Sequence, residues 1–325
     1  MFQRFYTLAM NTFVETVRQP IYGVILIATT LLMILNVSLA GFTLEDDDKL
    51  LLDLGLSTLL LSGLFLSAFS ATGVVSREIE NKTVLTVISK PVSRPVFILG
   101  KFAGLIAALA VAFYLASLVF ILSVRHGVMQ TSTTPWDHPV WVFGGGAILV
   151  AFVVGAFCNY FYGWHFATTT VAIVTPLLTI AVALVGMFGK QWEVIPFASN
   201  LVGGQVIIAT FLVWLAVMMT ASVAVTASTR CGQLTTLILC TAVLGLGIVS
   251  DYAFGQHSDT STLASCAYHL VPNVGPLWVA DGLAVGTAET AVPFVYVGYA
   301  TAYAGLITLG VLSLAIALFQ KREVG

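Results

Sequence analysis

The sequence predicts an all-α polytopic membrane protein of about eight transmembrane helices. Three observations predict it. Charge is too sparse to cover a surface facing water, apolar runs recur at bilayer length, and Lys and Arg concentrate in alternate gaps between those runs.

The first observation is compositional. Of 325 residues, 58% are hydrophobic and 9% charged, whereas a soluble domain carries roughly 25% charged residues. The mean hydropathy of +0.99 agrees. A net charge of −2 with no basic tail gives no footprint for nucleic acid. Cys158, Cys231, Cys240 and Cys266 form no CxxC pair. Three of them fall in or beside apolar segments, so they read as small hydrophobes and not as a disulfide framework.

The second observation is periodic length. A span needs about 20 mostly apolar residues. Eight stretches qualify, near 21–42, 52–75, 98–124, 140–161, 165–188, 203–227, 232–250 and 292–319. They make one transmembrane domain over residues 1–325. Residues 1–19 differ. Phe2, Phe5, Tyr6, Ala9, Phe13 and Val17 share one helical face, and Arg4, Asn11, Glu15 and Arg18 lie elsewhere. That pattern fits a helix lying in the membrane interface, broken from the first span by Pro20. "NVSLAG" offers a small-residue cleavage site, but the apolar run before it is too long and begins too late for a leader.

The third observation sets orientation. With eight crossings and a cytoplasmic N-terminus, the inside holds Arg4, Arg18, Arg77, Lys82, Lys90, Arg94, Lys101, Arg230, Lys321 and Arg322. The outside holds Lys49, Arg125 and Lys190, so the split is ten to three. The reverse orientation inverts it. Both termini are therefore expected in the cytoplasm of a plasma (inner) membrane protein. If 140–161 and 165–188, joined by "YGWH", do not both cross, the count becomes six with the termini unchanged. Outside, "LEDDDK" reads as an acidic turn, and Trp136 and Trp192 sit near span ends as an aromatic belt would. Residues 251–291, half apolar with Pro272 and Pro276, read as short amphipathic or re-entrant helices capping the outer end.

Several chemistries lack their residues. No GxxxxGK[ST] loop is present, so the chain is not expected to cradle nucleotide. "LVGGQV" at 201–206 has the look of an ATPase signature, but it sits at the mouth of a span with no nucleotide-binding motif to serve. The span interiors hold almost no ionisable groups, which argues against an ion-driven carrier, an intramembrane protease or a metalloenzyme. His257, Cys266 and His269 are too loosely spaced for a metal site. Asn36 and Asn159 are expected to hydrogen-bond between helices. Gly100 and Gly104 form a GxxxG pair, a close-packing face within the bundle or across a subunit interface.

The stretch 76–101, "SREIENKTVLTVISKPVSRPVFILGK", is the exception to the scarcity of charge. It holds seven charged residues: Arg77, Glu78, Glu80, Lys82, Lys90, Arg94 and Lys101. At about 2.5–3.5 kcal/mol per charge at a helix centre, inserting them would cost on the order of 20 kcal/mol. The stretch is therefore a cytoplasmic loop. "KTVLTVIS" can form a short helix that Pro91 and Pro95 end. Physics leaves two readings of it open: a helix that docks a partner, or a solvated topology signal.

The order Glu78, Glu80, Thr83, then Pro91, Ser93, Arg94, then Gly100, Lys101 resembles the loop between the second and third spans of ABC transporter permeases of the type-2 exporter class. "NTFVETVRQPIYG" is similar to that family's interfacial connecting helix, "ASTRCGQ" to its second cytoplasmic turn, and "ALFQKREVG" to its C-terminus. The family core has six spans, so 140–188 looks like a two-span insertion. The resemblance implies a permease without catalytic residues or bound cofactor of its own. It would pair with a second permease chain, same or different, in the lipid bilayer, and two copies of a cytoplasmic ATPase would bind ATP and Mg. It further implies that Glu78, Glu80, Lys82 and Thr83 contact the ATPase, with Arg77, Pro91, Ser93 and Arg94 in the same coupling loop, 76–97. Export is the implied direction. The competing expectation is an ATP-independent secondary carrier or channel, which should carry mid-membrane charges.

Overall fold

The structure is a computed structural model that describes residues 2–41, 47–76, 93–129, 136–197, 202–257, 261–262, 265–266, 268, 271–280 and 291–320. Nine long helices account for most of them. These are α1 (Phe2–Arg18), α2 (Pro20–Ala40), α3 (Asp47–Ala71), α4 (Arg94–His126), α5 (Gly146–Tyr162), α6 (Phe166–Met187), α7 (Gly204–Ser228), α8 (Gln233–Ala253) and α9 (Phe294–Gln320). Two wide π-turns extend this set, Thr72–Ser76 at the end of α3 and Val140–Gly145 leading into α5. The described residues contain no strand, only one antiparallel bridge between Phe188 and Val194.

Eight of the helices, α2 to α9, are long and apolar enough to cross a bilayer. They match the eight expected stretches to within a few residues. The chain is thus an all-α polytopic membrane protein. Its centre is α3, α4 and α7, whose apolar windows are 50%, 61% and 67% buried, against 17–28% for the other five. Leu59, Leu105, Phe120 and Leu212 fill that centre. The peripheral helices turn residues such as Leu31, Leu149, Phe161 and Leu306 outward, as the lipid-facing side of a bundle must. Helices α5 and α6 form an antiparallel hairpin, α6 resting on α4. Most buried threonines are tolerated because the hydroxyl donates to its own helix, as from Thr16 to the Thr12 carbonyl, Thr210 to Val206 and Thr226 to Ser222.

Four expectations are revised. Helix α3 begins at Asp47 and not near 52, because Asp47 and Asp48 in its first turn oppose the positive end of the helix dipole. The loop is shorter than 76–97. Ser76 belongs to the π-turn of α3, and Ser93 is the N-cap of α4, whose first turn accepts Pro95 because the missing N–H is not needed there. Asn36 does bridge helices, its Nδ2 donating to Thr58 Oγ1 at 3.0 Å. Asn159 does not: its Nδ2 donates to the Trp164 carbonyl and closes the α5–α6 turn, where Gly163 adopts a left-handed φ of 67°. Finally, the described part of 251–291 contains two 3₁₀ turns, Gly255–His257 and Gly275–Leu277, beside the end of α8 and single helical residues at 262, 265–266, 268 and 280. Val274, Leu277 and Ala280 are buried. The Tyr303 hydroxyl accepts from the Asn273 N–H at 2.8 Å and donates to its carbonyl at 3.1 Å, so the segment is strapped to α9 as a cap.

Candidate functional site

The site is one end of the bundle, where the roots of the charged loop emerge. Residues 77–92 lie outside the described residues. The expectations for Arg77, Glu78, Glu80, Lys82, Thr83 and Pro91 fall there, as do Lys321 and Arg322 of the basic end. The residues that hold the two roots are described.

The first root is the π-turn. All five of its residues, Thr72 to Ser76, are buried. A π-turn holds an extra residue against the α-helical ladder and recurs at functional sites. Gly73 lets the Gln19 side-chain amide lie close against the π-turn, since a methyl group there would stand 2.6 Å from it and displace it. Gln19 is the single residue between α1 and α2, so the π-turn leans on that corner. The Ser76 hydroxyl donates to the Cys231 carbonyl at 3.4 Å, which ties the root to the short turn between α7 and α8.

The second root is the start of α4. Ser93 is exposed and its side chain makes no capping hydrogen bond. Arg94 turns inward along the bundle end. Its Nη1 donates to the Phe319 carbonyl at 3.3 Å and also to that of Gln320, and its guanidinium stands 5.9 Å from the Phe319 ring centroid. One turn further, the buried Phe97 ring stacks on Phe319 at 5.4 Å. From the opposite side Arg230, in the α7–α8 turn, donates through Nη2 to the Leu318 carbonyl at 2.7 Å. The last carbonyls of a helix have no partners within it. In α9 two arginines from two different turns supply them, and cations at that end also suit the helix dipole.

Helix α1 completes the end. Leu8, Ala9, Thr12 and Thr16 of α1 face α4 at Gly100 and Gly104. A methyl group at Gly100 would lie 2.8 Å from Leu8 Cδ2, and one at Gly104 would collide with the Ala9 carbonyl. The GxxxG pair therefore seats α1 of the same chain. Phe2, Tyr6 and Met10 stay exposed, as an interfacial helix requires. Lys101 is fully buried in α4. Its ammonium is 3.5 Å from the Glu15 carboxylate and 5.9 Å from the Phe97 ring centroid. Lys101 was expected at the entry of the third span, beside the charged loop; its partner on α1 accompanies it inside.

Sequence reasoning grouped the loop, the "ASTRCGQ" turn and the "ALFQKREVG" end without seeing that they touch. It missed Glu15, Gln19, Ser76 and Phe319. A lysine at the mouth of a span was a usable signal, since such a cation calls for a nearby carboxylate. Among the described residues no group of three or more His, Cys, Asp or Glu could hold a metal ion. No protein-family model and no curated protein matches the chain.

Proposed function

We propose that the chain is the transmembrane permease subunit of an ABC transporter of the type-2 exporter class. It would form the substrate pathway, probe no nucleotide itself, and couple to a separate cytoplasmic ATPase, as one of two permease chains with two ATPase copies. The loop end then faces the cytoplasm of the plasma membrane, together with both termini. Glu78, Glu80, Lys82 and Thr83 contact the ATPase, Arg77 and Pro91 support them, and Ser93 and Arg94 hold the loop's return into the bundle.

One observation carries this reading beyond residue resemblance. The two roots are fastened to two neighbouring ends that are themselves joined: Ser76 to the α7–α8 turn, and Arg94 to the last turn of α9, which Arg230 of the α7–α8 turn also holds. A load applied to the loop is thereby shared by α3, α4, α7 and α9, with α3 joined to the end of α7 at the first root and α4 joined to α9 at the second. A loop serving only as a topology signal has no need of such fastening.

The test is charge reversal in the loop. Acidic residues contribute little to orientation, whereas at a docking interface like charges placed opposite each other cost several kcal/mol. Glu78→Lys with Glu80→Lys should leave membrane yield and topology unchanged and abolish co-purification of the ATPase. Normal ATPase recovery and normal transport by the double variant would refute the docking reading.

A further inference from the structure

At the opposite end of the bundle lies a cavity of about 450 Å³, within the range of small-molecule sites, roughly 300–1,000 Å³. Helix α2 forms one side through Ile34 and Val37, the start of α5 the other through Gly145 and Ile148, and α4 the floor through Val119 and Leu122. Glycines make the room: Gly41, Gly144 and Gly145 all line it. The wall is largely apolar, and among the described residues it carries no Asp, Glu, Lys or Arg. Trp136 and Trp141 stand at its mouth, half-exposed.

One lining group has unmet chemistry. His126 closes α4 and is 8% exposed. Its Nδ1 lies 2.9 Å from the Gly127 carbonyl. A carbonyl can only accept, so Nδ1 carries the proton, and in the neutral ring Nε2 is an acceptor. Nε2 is buried with no hydrogen-bond partner among the described residues, and leaving such a group unpaired is unfavourable. Trp136 and Trp141 hold the ring in place, each with its plane nearly perpendicular at a centroid distance of 6.2 Å. The nearby cations are occupied elsewhere: Arg125 by the buried Asp137 at 2.8 Å, and Lys190 by the His126 carbonyl at 3.0 Å. Ser38 and Ser123 also line the cavity, the Ser123 hydroxyl donating to the Met33 and Val119 carbonyls, so among the described residues the site is a largely hydrocarbon-lined chamber with one buried unpaired acceptor and no charged residue in its wall.

We propose that this cavity binds a lipid alcohol, a neutral hydrocarbon body with a single hydroxyl that donates to Nε2 of His126. The ligand comes from the bilayer, since the cavity lies between membrane-spanning helices and its lining includes Ile34, which is exposed. An anionic lipid would find no cation in the wall, and a pure hydrocarbon would leave Nε2 unpaired. The proposal does not depend on the permease reading; it needs only that α2, α4 and α5 span the membrane.

The probe is hexadecanol bearing a photoactivatable diazirine, irradiated with the full-length protein in lipid nanodiscs. Label should appear on peptides containing Ile34 and Ile148. Excess hexadecanol should suppress it about tenfold more effectively than hexadecyl methyl ether or palmitate. His126→Phe keeps the volume and removes the acceptor, so labelling should fall about fivefold or more; His126→Gln, with a side-chain carbonyl, should retain more of it. Gly145→Phe fills the chamber and should abolish labelling with His126 intact, since a Cβ there meets only Trp141, at 3.9 Å. Competition by the ether or by palmitate equal to that by the alcohol would overturn the proposal on the unaltered protein alone. Undiminished labelling of His126→Phe would overturn it as well.

Discussion

Lys101 of α4, fully buried, stands 3.5 Å from Glu15 of α1, whose side chain keeps 38% of its exposure. The pair joins an interfacial helix to the centre of the bundle. Removing one partner of a fully buried pair costs about 3–5 kcal/mol, whereas replacing the charge by a well-packed apolar group can be neutral. Half-exposure of Glu15 lowers the first figure through solvent screening. Glu15→Ala should therefore destabilise by about 2 kcal/mol and Lys101→Met by less. Thermal unfolding in detergent checks the order, and a larger loss for Lys101→Met would show that the cation is not stranded when Glu15 is removed.

The arginine pair on α9 makes a second prediction. Arg94→Ala and Arg230→Ala each leave carbonyls of the last turn without their side-chain donors. Each should cost about 1 kcal/mol, given that part of the turn can reach water. The double variant should fray the end of α9, read as faster hydrogen exchange at residues 316–320 and faster C-terminal proteolysis. Protection unchanged in the double variant would mean that Phe97 stacking on Phe319 alone holds the turn.

The third concerns the seat of α1. Gly104 leaves no room for a side chain against the Ala9 carbonyl, and overpacking typically costs about 1–3 kcal/mol. Gly104→Leu should lift α1 from α4 while α2 to α9 stay assembled. In a cysteine-free background, Thr16→Cys is buried and should resist a water-soluble thiol reagent; adding Gly104→Leu should make it react. Equal reactivity with and without Gly104→Leu would place the strain elsewhere.

The fourth addresses the hairpin of α5 and α6. Eight crossings put the Gly163 turn on the same side as Arg230, and the ten-to-three charge split predicts that this side faces the cytoplasm. Cysteines introduced at Gly163 and Arg230 should both stay unlabelled by an impermeant reagent in intact cells and become labelled after permeabilisation. Labelling at Gly163 alone in intact cells would reduce the crossings to six.

Much of this architecture was legible in the sequence, and the reason is bilayer thickness. A run of about 20 apolar residues has few alternatives to crossing, so all eight spans were found to within a few residues. What each span touches was not legible. The buried face of α1 runs through Thr12, Thr16 and Val17, with Leu8, Ala9 and Phe13 half-buried beside it, so it overlaps only the later part of the aromatic stripe, because a threonine that bonds its own helix packs like an apolar residue. The GxxxG pair at Gly100 gave closeness but no partner. Asn159 read as a bridge because its turn geometry depends on the left-handed Gly163. Arg125 and Asp137 lie 12 residues apart, beyond any helical periodicity, and only the fold brings them together.

The double arginine hold on α9 also has a consequence in time. A chain is made from its N-terminus, so Arg94 and Arg230 enter the membrane region before the carbonyls they need exist. Leu318 follows Arg230 by 88 residues, on the order of 4 to 18 s of synthesis at roughly 5–20 residues per second. Through that interval both guanidinium groups wait without their final acceptors, and the loop between α3 and α4 has no fixed second root. The loop end is therefore the last region of the bundle that biosynthesis can close, and a nascent chain halted before Leu318 leaves it open.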